Sequence, residues 1–248
     1  MLYDDVIADP KTTLKVGVPA FIYVIQNNLP YIAMSHIDAA TFQVTYQLRV
    51  LTTALFAVLM LGKKLSKTQW FSLVLLFIGL ALVQLQPTAI TQMNSITKDG
   101  QNPIIGLTAV VVGAMCSGFA GVYFEKILKG SSNRGKSIWL RNIQLGMFGF
   151  IIGLVGMITK DGAAVREKGM LHGYNTLVWS IIFIQAFGGL LVAVVIKYAD
   201  NILKGFATSC SLVLACVFSV FLFDFIITIQ FAVGSLFVIG AVFLYSWP

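Results

Sequence analysis

The chain has 248 residues, of which 58% are hydrophobic and 11% are charged, and its formal net charge is +7 at pH 7. This composition excludes a soluble globular domain, in which about a quarter of the residues are charged. It predicts an all-α polytopic membrane protein, because the sequence lacks the short alternating segments of a transmembrane barrel. The three cysteines, Cys116, Cys210 and Cys216, lie in apolar runs and do not indicate a disulfide framework.

Eight apolar stretches are long enough to cross a bilayer core as helices. They cover residues 16–34, 40–61, 69–86, 103–128, 138–159, 175–196, 203–223 and 226–246. When the connections alternate between two sides, twelve basic residues fall on the side of Met1, four fall on the other, and Arg49 falls inside a span. The excess of Lys and Arg assigns the side of Met1 to the cytosol. The basic charge therefore reflects topology in a lipid bilayer, and it gives no reason to expect a nucleic-acid partner.

Arg49 lies inside the second predicted span, where an ionisable side chain is expected to face protein or water rather than lipid. Tyr46 shares its helix face at a spacing of three residues. Two interpretations of Arg49 stay open. It pairs with a buried carboxylate, or it faces an anionic ligand, which is the interpretation we favour. The carboxylates available for pairing are those of Asp38, Glu125 and Asp200.

The first predicted span carries Tyr23, Gln26 and Asn27 on one helix face, at spacings of three and four residues. Amides in a membrane helix commonly join it to another helix. They also offer donors and acceptors that can read a nucleotide base or a ribose. Pro19 is expected to kink this helix and to free backbone groups that line a cavity.

The stretch from Lys197 to Ser209 joins the sixth and seventh predicted spans through a short connection. Lys204 begins the seventh span, where Gly205 and Ala207 leave room beside the backbone. A lysine at a helix end commonly extends to the membrane surface. The alternative, which we favour, is a cation that faces an internal cavity.

The connections at Asp38 and Asp200 are similar, because each leads into a helix with one early cation and two spans follow each of them. Such internal similarity is expected of a transporter built from repeats. The predicted organisation is a cytosolic connection at 1–15, an incomplete first repeat of three spans at 16–86, a lumenal loop at 87–102 and a second repeat of five spans at 103–246. The first half is then short by two helices. We therefore expect this chain to transport poorly by itself and to regain exchange when two upstream spans are added.

Small residues recur every three or four positions in the fourth and fifth spans, which predicts two seams of close helix packing. They are Gly113, Ser117 and Gly121 in the first seam, and Gly146, Gly149, Gly153 and Gly156 in the second.

Catalytic patterns are missing from the sequence, since His36 and His172 have no metal-ligand spacing and there is no phosphate loop and no Cys-x-x-Cys. We expect neither a cofactor nor a metal.

Five longer stretches carry a resemblance to a known family. They are Gln26-Asn-Asn28, Asp38-Ala-Ala-Thr-Phe-Gln-Val-Thr-Tyr-Gln-Leu48, Ser117-Gly-Phe-Ala-Gly-Val-Tyr-Phe-Glu-Lys126, Trp139-Leu-Arg-Asn142 and Lys197-Tyr-Ala-Asp-Asn-Ile-Leu-Lys204. With these motifs the chain resembles the nucleotide-sugar transporters of the Golgi, within the drug/metabolite transporter superfamily. The resemblance runs from about Leu14 to the end of the chain.

This resemblance implies ten helices in two inverted halves, and exchange of a cytosolic nucleotide sugar for a lumenal nucleoside monophosphate. The motifs are most similar to those of UDP-galactose carriers, so the predicted function is a Golgi antiporter of UDP-galactose, or of a related UDP-sugar, and UMP. UDP-N-acetylglucosamine and CMP-sialic acid remain alternative substrates. The residues implied to line the nucleotide site are Tyr23, Gln26, Asn27, Ser117, Asn142 and Lys204. Tyr46 and Arg49 complete the predicted site.

Two departures from the family pattern bear on the ligand. Arg49 stands where the family usually has a lysine, which keeps the charge but changes the geometry of the hydrogen bonds. Gly146 stands where CMP-sialic acid transporters carry a tyrosine, so we expect UMP to compete better than CMP.

Two other classes of function stay open. A membrane-embedded transferase acting on the same donor would need a general base, for which Asp38, Glu125 and Asp200 are the candidates. A scaffold that binds glycosyltransferases or associates with itself would need no transport activity.

Overall fold

The structure is a computed structural model that describes residues 10–84, 102–130, 137–223 and 228–247. Within these ranges the chain is helical and contains no strand. The helices are α1 (Pro10–His36), α2 (Ala39–Tyr46), α3 (Leu48–Leu61), α4 (Lys67–Gln84), α5 (Pro103–Lys129), α6 (Ile138–Lys168), α7 (Thr176–Tyr198), α8 (Asn201–Phe223) and α9 (Ile229–Ser246).

Every predicted span contains a helix, and the predicted all-α class is confirmed. The span 40–61 contains two helices, because the chain bends at Gln47 between α2 and α3. The N–H of Gln47 donates to the Val44 carbonyl at 3.1 Å, and the N–H of Val50 donates to the Gln47 carbonyl at 3.0 Å. Bonds to the third preceding residue tighten the backbone into a 3₁₀ turn, which within a longer helix often marks a functional position. Arg49 therefore follows directly after a break in its span.

One other predicted boundary differs from that in the structure, and others fall outside the described residues. The predicted connection 1–15 overlaps α1, which begins at Pro10. Residues 1–9, and residues 87–101 of the predicted lumenal loop, lie outside the described residues. The division into repeats at 16–86 and 103–246 stays a prediction.

Five helical stretches in the described ranges are long and apolar enough to cross a membrane. They are Thr41–Leu61, Pro103–Lys129, Ile138–Lys168, Thr176–Tyr198 and Ile229–Ser246. Two shorter apolar stretches, Lys67–Val83 and Asn201–Leu214, lie in α4 and α8. These lengths and compositions confirm the polytopic membrane class.

Local sequence signals set the ends of the helix pair that carries Arg49. Asp38 has an extended backbone, and its carboxylate accepts hydrogen bonds from the N–H and the hydroxyl of Thr41 at 2.8 and 2.6 Å. This side-chain cap satisfies a backbone donor at the start of α2. Gly62 ends α3 with φ 65°, in the left-handed region that favours glycine.

The chain divides into two compact units. Unit 1 takes its described residues from 1–24 and 123–200, and unit 2 takes them from 25–122 and 201–248. α1 and α5 contribute to both units, because the boundaries fall inside these helices.

The core of unit 2 contains close packing between α4 and α9. Leu73, Leu76 and Leu80 of α4 are buried in this core. The two helices approach each other at Gly79 and Gly234, where an added Cβ on either glycine would lie 2.8–2.9 Å from the carbonyl oxygen of the other. Such a contact between backbones requires glycine at both positions.

The core of unit 1 lies where the end of α5 packs against α6 and α7. Phe124 and Leu128 of α5 are buried with Ile138 of α6 and Ile196 of α7. At the end of α5 the Lys129 ammonium donates to the carboxylate of the buried Glu125 at 3.0 Å, and it also donates to the carbonyl of Ala199.

The two predicted glycine seams have different outcomes. In the first, a Cβ at Gly113 would lie 3.7 Å from Leu29, and one at Gly121 would lie 3.1 Å from Asn201, so this seam is packed as expected. In the second, a Cβ at each glycine would meet no described atom within 4 Å. Close packing along the face that contains Gly146 is therefore not found among the described residues.

Candidate functional site

Unit 2 contains a cleft of about 400 Å³, a volume typical of small-molecule sites. Side chains of α1, α2 and α3, the residue between α2 and α3, and one leucine of α8 form its walls. We call it the amide cleft, because four carboxamides contribute to it. Its lining residues are Gln26, Asn27, Pro30, Tyr31, Met34, Phe42, Gln43, Tyr46, Gln47, Arg49 and Leu212.

A chain of contacts crosses the amide cleft. The Nε2 of Gln26 donates to the hydroxyl of Tyr46 at 3.1 Å. The guanidinium carbon of Arg49 lies 5.2 Å from the centre of the Tyr46 ring, within the range of a cation–π contact. On α2, the ring of Phe42 stacks on that of Tyr46 with centroids 5.4 Å apart. These contacts hold the side chain of Arg49 in a defined place.

Two acceptors are available near Gln26. Its side-chain Oε1 is buried and accepts no hydrogen bond within the described residues. Pro30 has no N–H, so the carbonyl of Gln26 lacks the donor that helix α1 would otherwise supply four residues later. A ligand with hydrogen-bond donors, such as a base or a ribose, would satisfy such acceptors.

A smaller cavity of about 70 Å³ lies between α3, α5 and α8 in unit 2. We call it the hydroxyl cavity, since four hydroxyl side chains line it. Its lining residues are Arg49, Val50, Thr53, Ser117, Asn201, Ile202, Lys204, Gly205, Thr208 and Ser209. Arg49 also lines the amide cleft, so the two spaces adjoin at its side chain.

Three of these hydroxyls donate to helix carbonyls. Thr53 bonds to the carbonyl of Arg49 at 2.7 Å, Thr208 to that of Lys204 at 2.9 Å and Ser209 to that of Gly205 at 2.8 Å. Each hydroxyl has one proton, so these three offer acceptors to the cavity. An anion in this space would rely on Arg49 and Lys204 as its charged donors.

The charge of the two spaces is entirely positive among the described lining residues, because Arg49 and Lys204 are their charged members. The pairing expected as an alternative role for Arg49 is not found, since no ion pair joins it to a carboxylate in the described ranges. Asp38 caps α2 and Glu125 pairs with Lys129. Two cations line one cavity, and the described residues that line it include no carboxylate, which favours an anionic ligand.

The structure brings together six of the eight predicted site residues in unit 2. Gln26, Asn27, Tyr46 and Arg49 line the amide cleft, and Ser117 and Lys204 line the hydroxyl cavity with Arg49.

The other two predicted residues, Tyr23 and Asn142, belong to unit 1, where both are half-buried. The Nδ2 of Asn142 is buried and donates no hydrogen bond in the described part of the chain. Their roles in ligand binding stay predictions.

Sequence reasoning assigned no role to Thr53 or Asn201, which also line the hydroxyl cavity. Their spacing carried a signal. Thr53 lies four residues after Arg49, and Asn201 lies three residues before Lys204, so each shares a helix face with a predicted cation.

A model of the nucleotide-sugar transporter family matches residues 1–246. The chain belongs to this family. It is 57% identical over 247 residues to the UDP-galactose translocators of Bos taurus and Homo sapiens, and the match covers all of this chain and 61% of each relative. It is 52% identical over 248 residues to the UDP-N-acetylglucosamine transporter of Rattus norvegicus, with 75% of that relative covered. The chain thus spans about three fifths of the length of the UDP-galactose translocators that it matches.

Membership of the nucleotide-sugar transporter family also bears on the transferase alternative, because these relatives are named for transport and not for catalysis. The geometry agrees with this. Of the three candidate bases, Asp38 and Glu125 bond to Thr41 and Lys129, and none of the three, Asp200 included, lines the two spaces described in unit 2. A general base for a transferase is therefore not found there among the described residues.

Proposed function

We propose that this chain exchanges a cytosolic UDP-sugar for lumenal UMP across the Golgi membrane, with UDP-galactose as the substrate. The observation that carries the proposal is the pair of cations, Arg49 and Lys204, around one cavity without a carboxylate among its described lining residues. A diphosphate must lose most of its hydration to enter such a space, and this loss is unfavourable unless charge-assisted hydrogen bonds replace the water.

The amide cleft supports a nucleoside beside the phosphates. It adjoins the hydroxyl cavity at Arg49, and its volume of about 400 Å³ suits a ligand larger than phosphate alone. In the proposed arrangement Arg49 and Lys204 neutralise the phosphates. Gln26 and Asn27 bind the base or the ribose through their amides.

The higher identity to UDP-galactose translocators, 57% against 52%, favours galactose over N-acetylglucosamine in the sugar. UDP-N-acetylglucosamine is the second candidate, and CMP-sialic acid is the third, disfavoured by the glycine at position 146. Contacts with glycosyltransferases and association with a second copy of the chain stay predictions.

Competition followed by exchange tests this proposal. Purified protein is first titrated with labelled UMP in the presence of UDP-galactose, UDP-N-acetylglucosamine or CMP-sialic acid, which measures recognition without requiring transport. It is then reconstituted into vesicles that contain UMP or buffer, and uptake of each labelled nucleotide sugar is followed. We expect UDP-galactose to compete best, and whatever uptake the chain supports by itself to be faster with internal UMP than with buffer. Absence of nucleotide binding, or uptake that ignores internal UMP, would contradict the proposal.

A further inference from the structure

Asn201 joins the start of α8 to the interior of α5. It is the first residue of α8 and is only 3% exposed. Its Nδ2 donates to the carbonyl oxygen of Gly121 at 2.5 Å, across 80 positions of sequence. Both residues belong to unit 2. A buried amide that reaches a helix carbonyl at this distance fixes the separation of the two helices.

Gly121 allows this approach because it has no side chain. A Cβ placed on it would lie 3.1 Å from Oδ1 of Asn201 and 3.4 Å from Cγ. The first of these distances is shorter than an ordinary van der Waals contact, so a methyl group at this position would push Asn201 away from α5. Gly121 and Asn201 therefore form one contact, in which each requires the other's present shape.

The same contact sets the geometry of the hydroxyl cavity. On α8, Asn201, Lys204 and Thr208 follow one another at three and four residues, and all three line the cavity. On α5, Ser117 lies four residues before Gly121 and lines the opposite wall. The helices are stiff over one turn, so the distance between Lys204 and Ser117 follows from the contact between Asn201 and Gly121.

We propose that Asn201 is a positioning residue, held by Gly121, that places the Lys204 ammonium for contact with the phosphate of the nucleotide. This inference rests on the proposed function, because it requires a nucleotide at Lys204. Charge-assisted hydrogen bonds depend strongly on distance and direction, so a small displacement of α8 weakens the contact with phosphate. The nucleoside part of the ligand, which we assign to the amide cleft, is affected less by that displacement, because α8 contributes to the described lining of this cleft through Leu212 alone.

The test compares UMP with uridine, which lacks the phosphate. Dissociation constants of both are measured for the wild type and for Asn201→Ala, Gly121→Ala and the double variant. Gly240→Ala is the matched control, since its Cβ would meet no described atom within 4 Å. Thermal unfolding of each variant establishes that it is folded, and Asn201→Ser, whose hydroxyl is too short to reach Gly121, replaces Asn201→Ala if that variant unfolds.

We expect both single variants to bind UMP about 3- to 30-fold more weakly, and uridine within about 2-fold of the wild type, as for partial loss of one charge-assisted bond. The double variant should be no weaker than Asn201→Ala, because the two substitutions act through one contact. Equal losses for UMP and uridine would show a merely structural role and overturn the inference, as would unchanged UMP binding in folded variants. Wild-type protein that binds neither ligand would instead overturn the proposed function, and this inference with it.

Discussion

Arg49 is the residue at which the amide cleft and the hydroxyl cavity meet. It lines both spaces, lies over the ring of Tyr46 and forms no ion pair with a carboxylate in the described ranges. A guanidinium inside a membrane helix is costly without an anion or water around it. Its contact with Tyr46, which in turn accepts a hydrogen bond from Gln26, links the cation to the amides that we assign to the nucleoside.

The Tyr46 hydroxyl can be removed without loss of the ring beneath Arg49. Tyr46→Phe deprives Nε2 of Gln26 of its acceptor, which frees the amide to rotate. A neutral hydrogen bond contributes about 0.5–1.5 kcal/mol, so we expect UMP to bind about 2- to 10-fold more weakly by calorimetry. Tyr174→Phe, on a tyrosine in the connection before α7, is the control and should have no effect. Unchanged affinity in folded Tyr46→Phe would mean that the hydroxyl does not orient Gln26.

Gly146 bears on the choice of base. A Cβ at this position would meet no described atom within 4 Å, so unit 1 leaves space there for the first atom of a side chain. Gly146→Tyr introduces the ring that the family resemblance places at this position in CMP-sialic acid transporters. We expect CMP to gain about 2- to 10-fold against UMP in competition, as for one aromatic contact of about 0.5–1.5 kcal/mol. Gly153→Tyr, at an equally open glycine two turns along α6, is the control. A similar shift in both variants would assign no selectivity to Gly146.

At the scale of helices, α4 and α9 are fixed to each other by backbone contact. Gly79 and Gly234 bring the two backbones so close that neither position has room for a methyl group. The leucines of α4 on either side of this contact are buried. In a membrane such packing replaces much of the hydrophobic driving force available in water.

This contact predicts a difference between two glycines of unit 2, Gly79 and Gly240. Gly79→Ala places a Cβ 2.9 Å from the Gly234 carbonyl and 2.9 Å from Cβ of Phe237, so α4 and α9 must move apart. Overpacking of this kind costs about 1–3 kcal/mol, and we expect a lower unfolding temperature in detergent. Gly240→Ala, where the space is open, should unfold at the wild-type temperature. Equal unfolding temperatures for the two variants would show that α4 and α9 do not approach each other as described.

The helices were predictable because each apolar run is long. The bend at Gln47 was not predictable from the sequence. No proline or glycine lies between Ala40 and Leu61 to indicate it, and only the hydrogen bonds of the folded backbone show it. Arg49 and Lys204 were predictable because a charge in an apolar run is rare. The spacing of Asn201 from Lys204 placed both on one helix face, but the contact of Asn201 with Gly121 was not predictable, since Gly121 is 80 positions away and an amide at a helix start has many other uses.

At the scale of the whole molecule, six of the eight residues predicted to bind the nucleotide line two adjoining spaces in unit 2. Family membership, the membrane helices and the positive lining agree with one another. They support the proposal that unit 2 binds an anionic ligand at Arg49. In the proposed function, Arg49 and Lys204 bind the phosphate of a uridine nucleotide.

The most direct measurement is the affinity of the purified chain for UMP. Calorimetry compares the wild type with Arg49→Ala, with Lys204→Ala and with Arg166→Ala, an exposed arginine of α6 as the control. Each cavity cation should contribute about 1.5–3 kcal/mol through charge-assisted hydrogen bonds, so we predict that UMP affinity falls about 10- to 100-fold in both cavity variants and is unchanged in the control. Unchanged UMP affinity in folded Arg49→Ala and Lys204→Ala would contradict the assignment of both cations to the phosphate.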